Sequence, residues 1–150
     1  MRPRRAWTDD TGAAALEFIL VGLVLLVPVV YLIVALGAIQ AQALGVEAGS
    51  RHIARAIATA PDAATADARA QAILGSVTEE YGIDPGALEI SVSCRPAGVP
   101  CPSAGATLLV RLATAVPLPL VPPILDLDRV ARVPVEAVTA QKVSRFWGTG

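Results

Sequence analysis

The stretch Phe18–Ile39 reads FILVGLVLLVPVVYLIVALGAI, a run of 22 uncharged and mostly apolar residues. At about 1.5 Å of rise per residue, a helix of this length spans roughly 33 Å, and the hydrocarbon core of a bilayer is about 30 Å thick. The run therefore predicts a membrane-spanning helix. A single carboxylate, Glu17, stands directly before it. Charged residues in spanning helices are costly and usually mark function. The alternative is that Glu17 is a solvated charge that reaches the interface at the helix end, where the helix dipole mildly favours a carboxylate.

The residues ahead of the run predict its orientation. Arg2, Arg4 and Arg5 lie close before the apolar stretch, and basic flanks of a spanning helix stay on the cytoplasmic side. We therefore expect a cytoplasmic N-terminus and, from about residue 40 onward, an extracytoplasmic chain. The expected localisation is the cell membrane, crossed once.

Length, charge and motifs bound the function classes. Beyond a leader and a membrane helix, about 100 of the 150 residues remain, enough for one small domain. Twelve basic and thirteen acidic residues give a net charge of −1 without a basic stripe, so nucleic acid is not an expected partner. The sequence lacks the G-x-S-x-G, H-E-x-x-H and G-x-x-x-x-G-K-[ST] motifs. We expect no enzyme, no small-molecule substrate and no cofactor.

The two cysteines, Cys94 and Cys101, are separated by six residues. In an oxidising extracytoplasmic compartment they can close a small loop as a disulfide. A zinc site is the competing interpretation, but the only histidine, His52, is far away in sequence. Two thiols alone cannot supply four ligands, so no metal is expected.

Three kinds of N-terminal segment compete to explain the apolar run. A cleaved secretory signal has an apolar region of about 7–15 residues and an A-x-A-like site. Ala41–Ala43 offers such a site, but the run is too long. An ordinary signal anchor explains the arginines and the apolar length, but it gives no role to Glu17. The third kind is a prepilin-type leader.

The stretch Gly12–Phe18 reads GAAALEF and resembles the processing site of type IV pilin-like proteins. In that family a prepilin peptidase cuts after a glycine, and glutamate is the fifth residue of the mature chain. Counted from Ala13, the fifth residue here is Glu17. About the first 60 residues are similar to TadE/TadG-like minor pilins (pseudopilins) of tight-adherence, or Flp, type IV pilus systems.

The resemblance implies a processing site at Gly12 and Ala13 and an assembly role for Glu17. The implied partners are the membrane, prepilin peptidase, other pilins or pseudopilins, and the pilus assembly machinery. Cleavage would leave a new ammonium on Ala13, and in the family the glutamate meets the amino terminus of a neighbouring subunit. An unpaired buried ion costs several kcal/mol, which makes such pairing selective. The alternative function is an unprocessed single-pass envelope protein whose small domain binds another envelope component.

Small residues recur every four positions in the continuation of the apolar run. No proline occurs between Pro28 and Pro61, so the helix is expected to continue to about Ala60. The recurring residues predict close helix packing of the small-xxx-small kind. A chance spacing in an alanine-rich segment is the alternative. These residues are Gly37, Ala41, Gly45 and Gly49.

The remaining sequence predicts an α+β domain with one helix and a roughly three-stranded antiparallel sheet. A helix is expected over Asp62–Tyr81, with Asp62 as its N-cap and Gly82 as its stop. Alternation over residues 88–94 predicts a half-buried strand. A second strand is expected at about Ala106–Val116, joined to the first as a hairpin through the cysteine loop. Its inward side chains would be Leu108, Val110 and Leu112.

Prolines punctuate the C-terminal part. Pro117, Pro119, Pro122 and Pro123 favour an extended connection, and Asp126 and Asp128 are expected in turns. Val130–Ala140 predicts a third strand, in which Pro134 indicates an edge position or a bulge. The expected organisation is a cytoplasmic leader at 1–12, a transmembrane and extended helix at 13–60, and an extracytoplasmic domain at 61–150.

Overall fold

The computed structural model describes residues 10–121, 124 and 126–148. The described chain is α+β, as predicted, with a long helix, a second helix and a three-stranded antiparallel sheet. It divides into two compact units, one ending at Leu36 and the other beginning at Gly37. The elements in order are α1 (Asp10–Ala58), α2 (Ala63–Tyr81), a 3₁₀ turn (Pro85–Ala87), β1 (Glu89–Arg95), β2 (Thr107–Pro117), α3 (Leu127–Val130) and β3 (Arg132–Lys142).

Helix α1 continues far beyond the apolar run. It has 49 residues, includes Pro28 and ends at Ala58, two residues before the predicted end. Its second half, from Gly37, belongs to the compact domain and not to a separate stalk. Val46 and Ile53 of this half are almost completely buried and form part of the domain core.

Both ends of α2 carry the predicted caps. The Asp62 side chain accepts a hydrogen bond from the Thr65 N–H at 2.7 Å, which satisfies a first-turn donor. At the other end Gly82 adopts the left-handed conformation with φ of 61°, which glycine adopts without a steric penalty. The N–H of Ile83 bonds the Thr78 carbonyl. The helix therefore begins and ends where its cap residues predict.

The sheet has the order β1-β2-β3, with antiparallel pairing throughout. Alternate residues of the central strand face the helices and are fully buried, as the two-residue period predicts. In the hairpin register, Cys94 pairs with Leu108 and Ile90 with Leu112. The core joins the inward face of β2 to both long helices and includes Val46, Ile53, Ala54, Ile57, Ala66, Ala70, Val77, Leu108, Val110 and Leu112.

The burial predicted for β1 is wrong. Its apolar side chains Ile90 and Val92 remain 40% and 42% exposed, and Cys94 alone in the strand is half-buried. The alternation correctly predicts which side chains share a face, but β1 is an edge strand. The buried core is centred on β2, so β1 keeps an exposed apolar stripe.

The third strand lies at the opposite edge of the sheet, as Pro134 indicates. It begins two residues later than predicted because Val130 belongs to the short helix α3, which the sequence did not predict. Asp126 directly precedes α3, with φ of 56° and without a side-chain capping hydrogen bond, and Asp128 lies inside α3. Residues 118–121 form neither helix nor strand, but Pro119 and Leu120 lie in a turn and Leu120 has φ of 62°, so the extended connection expected here is wrong. The connection expected at Pro122 and Pro123 lies outside the described residues.

Replacing Asp62 with alanine is expected to lower the melting temperature of the domain, because the Thr65 N–H loses its acceptor. The same backbone hydrogen bond, with that from the Thr65 hydroxyl, lowers the pKa of Asp62 below its ordinary value of 3.8. An ionised carboxylate whose pKa is lowered by folding contributes its full stabilisation above its ordinary pKa of 3.8. That contribution is lost as the pH falls through the pKa of the folded state. The melting-temperature difference between wild type and Asp62→Ala should therefore shrink only below pH 3.8.

Asp62→Asn is the matched control, since the amide keeps an acceptor but does not titrate in this range. Its melting-temperature difference from Asp62→Ala should stay constant with pH. Thermal unfolding followed by circular dichroism at several pH values measures both. A wild-type difference that persists unchanged at the most acidic values would contradict the cap assignment.

Candidate functional site

The apolar part of α1 is exposed along its length. Only 6% of its most apolar window is buried, and large apolar side chains from Leu16 to Leu36 lie largely open. A core helix of a soluble domain would bury such residues against neighbouring elements. The described residues thus contain one helix that is long and apolar enough to span a membrane.

Glu17 is exposed, and the chain that follows it on α1 is uncharged over a long stretch. No Asp, Glu, Lys or Arg lies between it and Glu47 along α1. Gly12 and Ala13, the predicted processing residues, lie within the same helix. Residues four apart lie on one face of a helix, so Ala13 and Glu17 are one turn apart on a common face. A new amino terminus at Ala13 would stand beside that carboxylate.

Two of the four regularly spaced small residues, Gly45 and Gly49, lie in close contact with other parts of the same chain. A Cβ built on Gly45 would lie 2.5 Å from Cγ of Tyr81 and 2.8 Å from its Cβ. A Cβ on Gly49 would meet Leu112 at 3.0 Å and Val77 at 3.3 Å. These two glycines therefore let α1 approach α2 and β2 closely. At these two positions the close contacts lie within one chain.

The other two members of the spacing make no such contact. A Cβ on Gly37 would meet no atom within 4 Å, and Ala41 is exposed. The four-residue spacing therefore changes role along α1. Gly45 and Gly49 pack in the domain core, whereas Gly37 and Ala41 are exposed.

Polar contacts that the sequence did not predict accompany these glycines. The hydroxyls of Ser50, which is fully buried, and Thr139 form a hydrogen bond of 2.8 Å between α1 and β3. The Gln42 side-chain amide donates to the carbonyl of Gly82 at 3.3 Å, at the end of α2. A hydroxyl or amide in a helix carries no sequence signal for a partner tens of residues away.

Cys94 and Cys101 form a disulfide, with Cα atoms 5.4 Å apart. The bond ties the end of β1 to the loop that leads to β2. It occurs where β1 pairs with β2 through Cys94 and Leu108. The pairing predicted from the two-cysteine sequence is confirmed.

Three basic residues of α1, Arg51, His52 and Arg55, lie on the surface. Arg51 forms an ion pair with Glu47, and His52 and Arg55 are exposed. Across the described ranges, no group of three or more His, Cys, Asp or Glu side chains could hold a metal ion. Arg111 pairs with Glu136 on the outer face of the sheet.

Comparison with known proteins gives no relative. No protein-family model, no curated protein and no solved structure matches the chain.

Replacing Gly45 with alanine is expected to destabilise the domain by about 1–2 kcal/mol. Overpacking costs about 1–3 kcal/mol, whereas glycine-to-alanine exchange in a helix gains up to about 1 kcal/mol. The colliding atoms belong to the base of the Tyr81 side chain, which cannot swing away as a chain end can. Chemical denaturation of the full chain in detergent measures the change.

Gly37→Ala is the matched control because it lies in the same helix with open space around it. It is expected to leave stability unchanged or to raise it by up to about 1 kcal/mol. Gly49→Ala should fall between the two, since the Leu112 contact involves the flexible end of a side chain. Equal effects of Gly45→Ala and Gly37→Ala would refute the assigned close approach.

Proposed function

We propose that this chain is a TadE/TadG-like minor pilin, or pseudopilin, that acts in the assembly of a tight-adherence type IV pilus. Its role is structural, and no reaction is assigned to it. The observation that carries the proposal is the combination of an exposed, membrane-length apolar helix with a lone carboxylate at its N-terminal end. The GAAALEF stretch, Gly12–Phe18, supports the same assignment.

The chemistry of Glu17 favours a paired state. A carboxylate at the edge of an apolar helix is costly to move into hydrocarbon while it is unpaired. A new ammonium on Ala13 of a neighbouring subunit would neutralise it. No other charged residue follows Glu17 on α1 before Glu47. The Ala13 amine of a second copy is therefore the cation that α1 offers to the Glu17 carboxylate.

The proposed topology places the helix across the cell membrane with its N-terminus in the cytoplasm and the domain outside. Three arginines before the apolar run support this orientation. The Cys94–Cys101 disulfide suits an oxidising extracytoplasmic compartment. Prepilin peptidase, other pilins and the assembly machinery are the proposed partners.

The part of α1 around Gly45 and Gly49 is not available to other subunits, because it already packs against its own chain. Gly45 and Gly49 are occupied by Tyr81, Val77 and Leu112 of the same chain. Helix packing between subunits would therefore use the segment before them. In this proposal residues 14–36 supply the apolar contacts, and Glu17 supplies the register.

A second candidate function is favoured by the exposed edge of the sheet. In this alternative the chain is an unprocessed single-pass envelope protein whose domain binds another envelope component. The exposed apolar side chains of β1, Ile90 and Val92, would be part of such a contact. Edge strands commonly receive partner strands. Processing distinguishes the two candidates.

The mature protein is expected to begin at Ala13 when it is extracted from membranes of cells that carry their own prepilin peptidase. Intact mass and N-terminal peptide mass spectrometry measure this residue directly. Cells without the peptidase serve as the control and should give the unprocessed chain. An identical, unprocessed N-terminus in both strains would favour the envelope-protein alternative, and a start near Leu44 would indicate an ordinary secreted domain.

Glu17→Ala is expected to leave membrane insertion unchanged and to impair pilus assembly strongly, because the neighbouring amine loses its partner. Glu47→Ala is the matched control, since it removes another exposed carboxylate of α1 outside the apolar segment. Carbonate-resistant membrane association and the amount of sheared surface pili are the two measurements. Wild-type pilus levels with Glu17→Ala, from protein confirmed to be present, would rule out the assembly role.

A further inference from the structure

The outer edge of β1 is open to a further strand. In the part of the chain that the structure describes, β1 pairs with β2 on one side, and no strand pairs with its other side. Natural sheets often protect such an edge with a bulge, a proline or an inward-pointing charge. The strand has no proline, its register with β2 is unbroken, and its inward side chains are Ile90, Val92 and Cys94. This edge therefore lacks the usual protection against strand pairing.

The length of the open edge is limited at both ends. The strand has seven residues, Glu89–Arg95. Before it, the N–H of Leu88 already donates to the Pro85 carbonyl at 3.4 Å. After it, Pro96 has no N–H to donate. Leu88 and Pro96 are equally distant in sequence from Val92, so the edge that can pair is symmetric about Val92.

The outward side chains of β1 are also arranged symmetrically about Val92. Ser91 and Ser93 are its immediate neighbours, and Glu89 and Arg95 stand at the two ends of the strand. The two end charges are opposite and exposed. Along one strand they are roughly 20 Å apart, at about 3.3 Å per residue. Neither forms an ion pair with a described residue of its own chain.

We propose that β1 pairs antiparallel with β1 of a second copy of this chain, about a two-fold axis through Val92 perpendicular to the sheet. In this register Glu89 of each copy lies opposite Arg95 of the other. Alternate residues of an antiparallel strand direct their backbone groups to the same edge. A two-fold axis through a residue brings matching sets of these groups together. Two three-stranded sheets then form one continuous sheet.

The apolar side chains of β1 fit the same arrangement. Ile90 and Val92 are 40% and 42% exposed. They share the helix-facing side of the sheet with Leu112 and Val110, their partners on β2. An axis perpendicular to the sheet keeps this side common to both copies, so Val92 meets Val92 and Ile90 meets Cys94 of the second copy. Such cross-strand pairs stabilise a sheet. The pairing covers the apolar stripe that one chain leaves open.

The opposite charges favour a second copy over an unrelated partner. A strand of another protein would not require Glu89 and Arg95 to lie at equal distances from Val92, whereas a second β1 does. The proposal goes beyond the proposed function, because it uses residues 89–95 and depends neither on processing nor on Glu17. It also differs from the second candidate function, in which this edge binds another envelope component.

The test reverses the end charges. In a pair of identical copies, Glu89→Arg places an arginine opposite Arg95 at both ends, and Arg95→Glu places a glutamate opposite Glu89. Because like charges on opposite strands repel, each variant alone is expected to associate about tenfold more weakly than wild type. In an equimolar mixture of the two variants, every arginine lies opposite a glutamate, so association should return to the wild-type level. Sedimentation equilibrium of the full chain in density-matched detergent micelles measures the dissociation constants.

Lys142→Glu is the matched control. Lys142 and Arg95 both lie opposite Thr107 of β2, at opposite edges of the sheet, so the row and the change in charge are the same. This variant should keep the wild-type dissociation constant. Both end charges of β1 are exposed, so the variants should also keep the wild-type unfolding curve, which circular dichroism checks.

Three results would overturn the pairing. One is a monomeric wild type, and another is a dissociation constant that no variant changes, since association through α1 would not respond to these charges. The third is a mixture of folded variants that does not recover association. If the wild type is monomeric and a photo-crosslinker at Ser93 captures a different protein in native membranes, the edge belongs to that protein. Each of these results leaves the pilin proposal standing, because that proposal depends on Ala13 and Glu17.

Discussion

The fold depends on the close approach of α1 to α2 and β2. At Gly45 the base of the Tyr81 side chain occupies the space that any Cβ would need, and at Gly49 the side chains of Leu112 and Val77 lie almost as near. This spacing brings the adjacent apolar residues of α1, Val46 and Ile53, into full burial. Without it a small domain would lose much of a core that its size already keeps limited.

This constraint divides one continuous helix between two tasks. The second half of α1 is a core element of the domain and is committed to its own chain. The first half has no core to join, since nearly all of its apolar surface lies open. Whatever α1 contributes to an assembly therefore lies in the exposed segment, in which Glu17 is the sole carboxylate among the residues from Ala14 to Leu36. On an otherwise uniform apolar surface, this single charge would fix how far one helix can slide along a neighbouring helix, which sets the axial register.

Local rules explain the parts of the fold that the sequence predicts well. Asp62 and Gly82 delimit α2 because capping depends on residues within a few positions of the helix end. The inward face of β2 follows from alternation, since the period of a strand is two. Cys94 and Cys101 lie only seven positions apart, so the loop that brings them together is short and costs little closure entropy. In each case the deciding interaction spans only a short stretch of chain.

The features that the sequence missed depend on distant partners. The Gly45 and Gly49 spacing indicates a close neighbour, but it does not identify that neighbour as Tyr81 of the same chain. Alternation predicts the faces of β1, but it cannot show that the helices leave Ile90 and Val92 exposed. The short helix α3 has too few residues for a periodic pattern. Whether Glu17 pairs with another subunit is a question of assembly that no single chain contains.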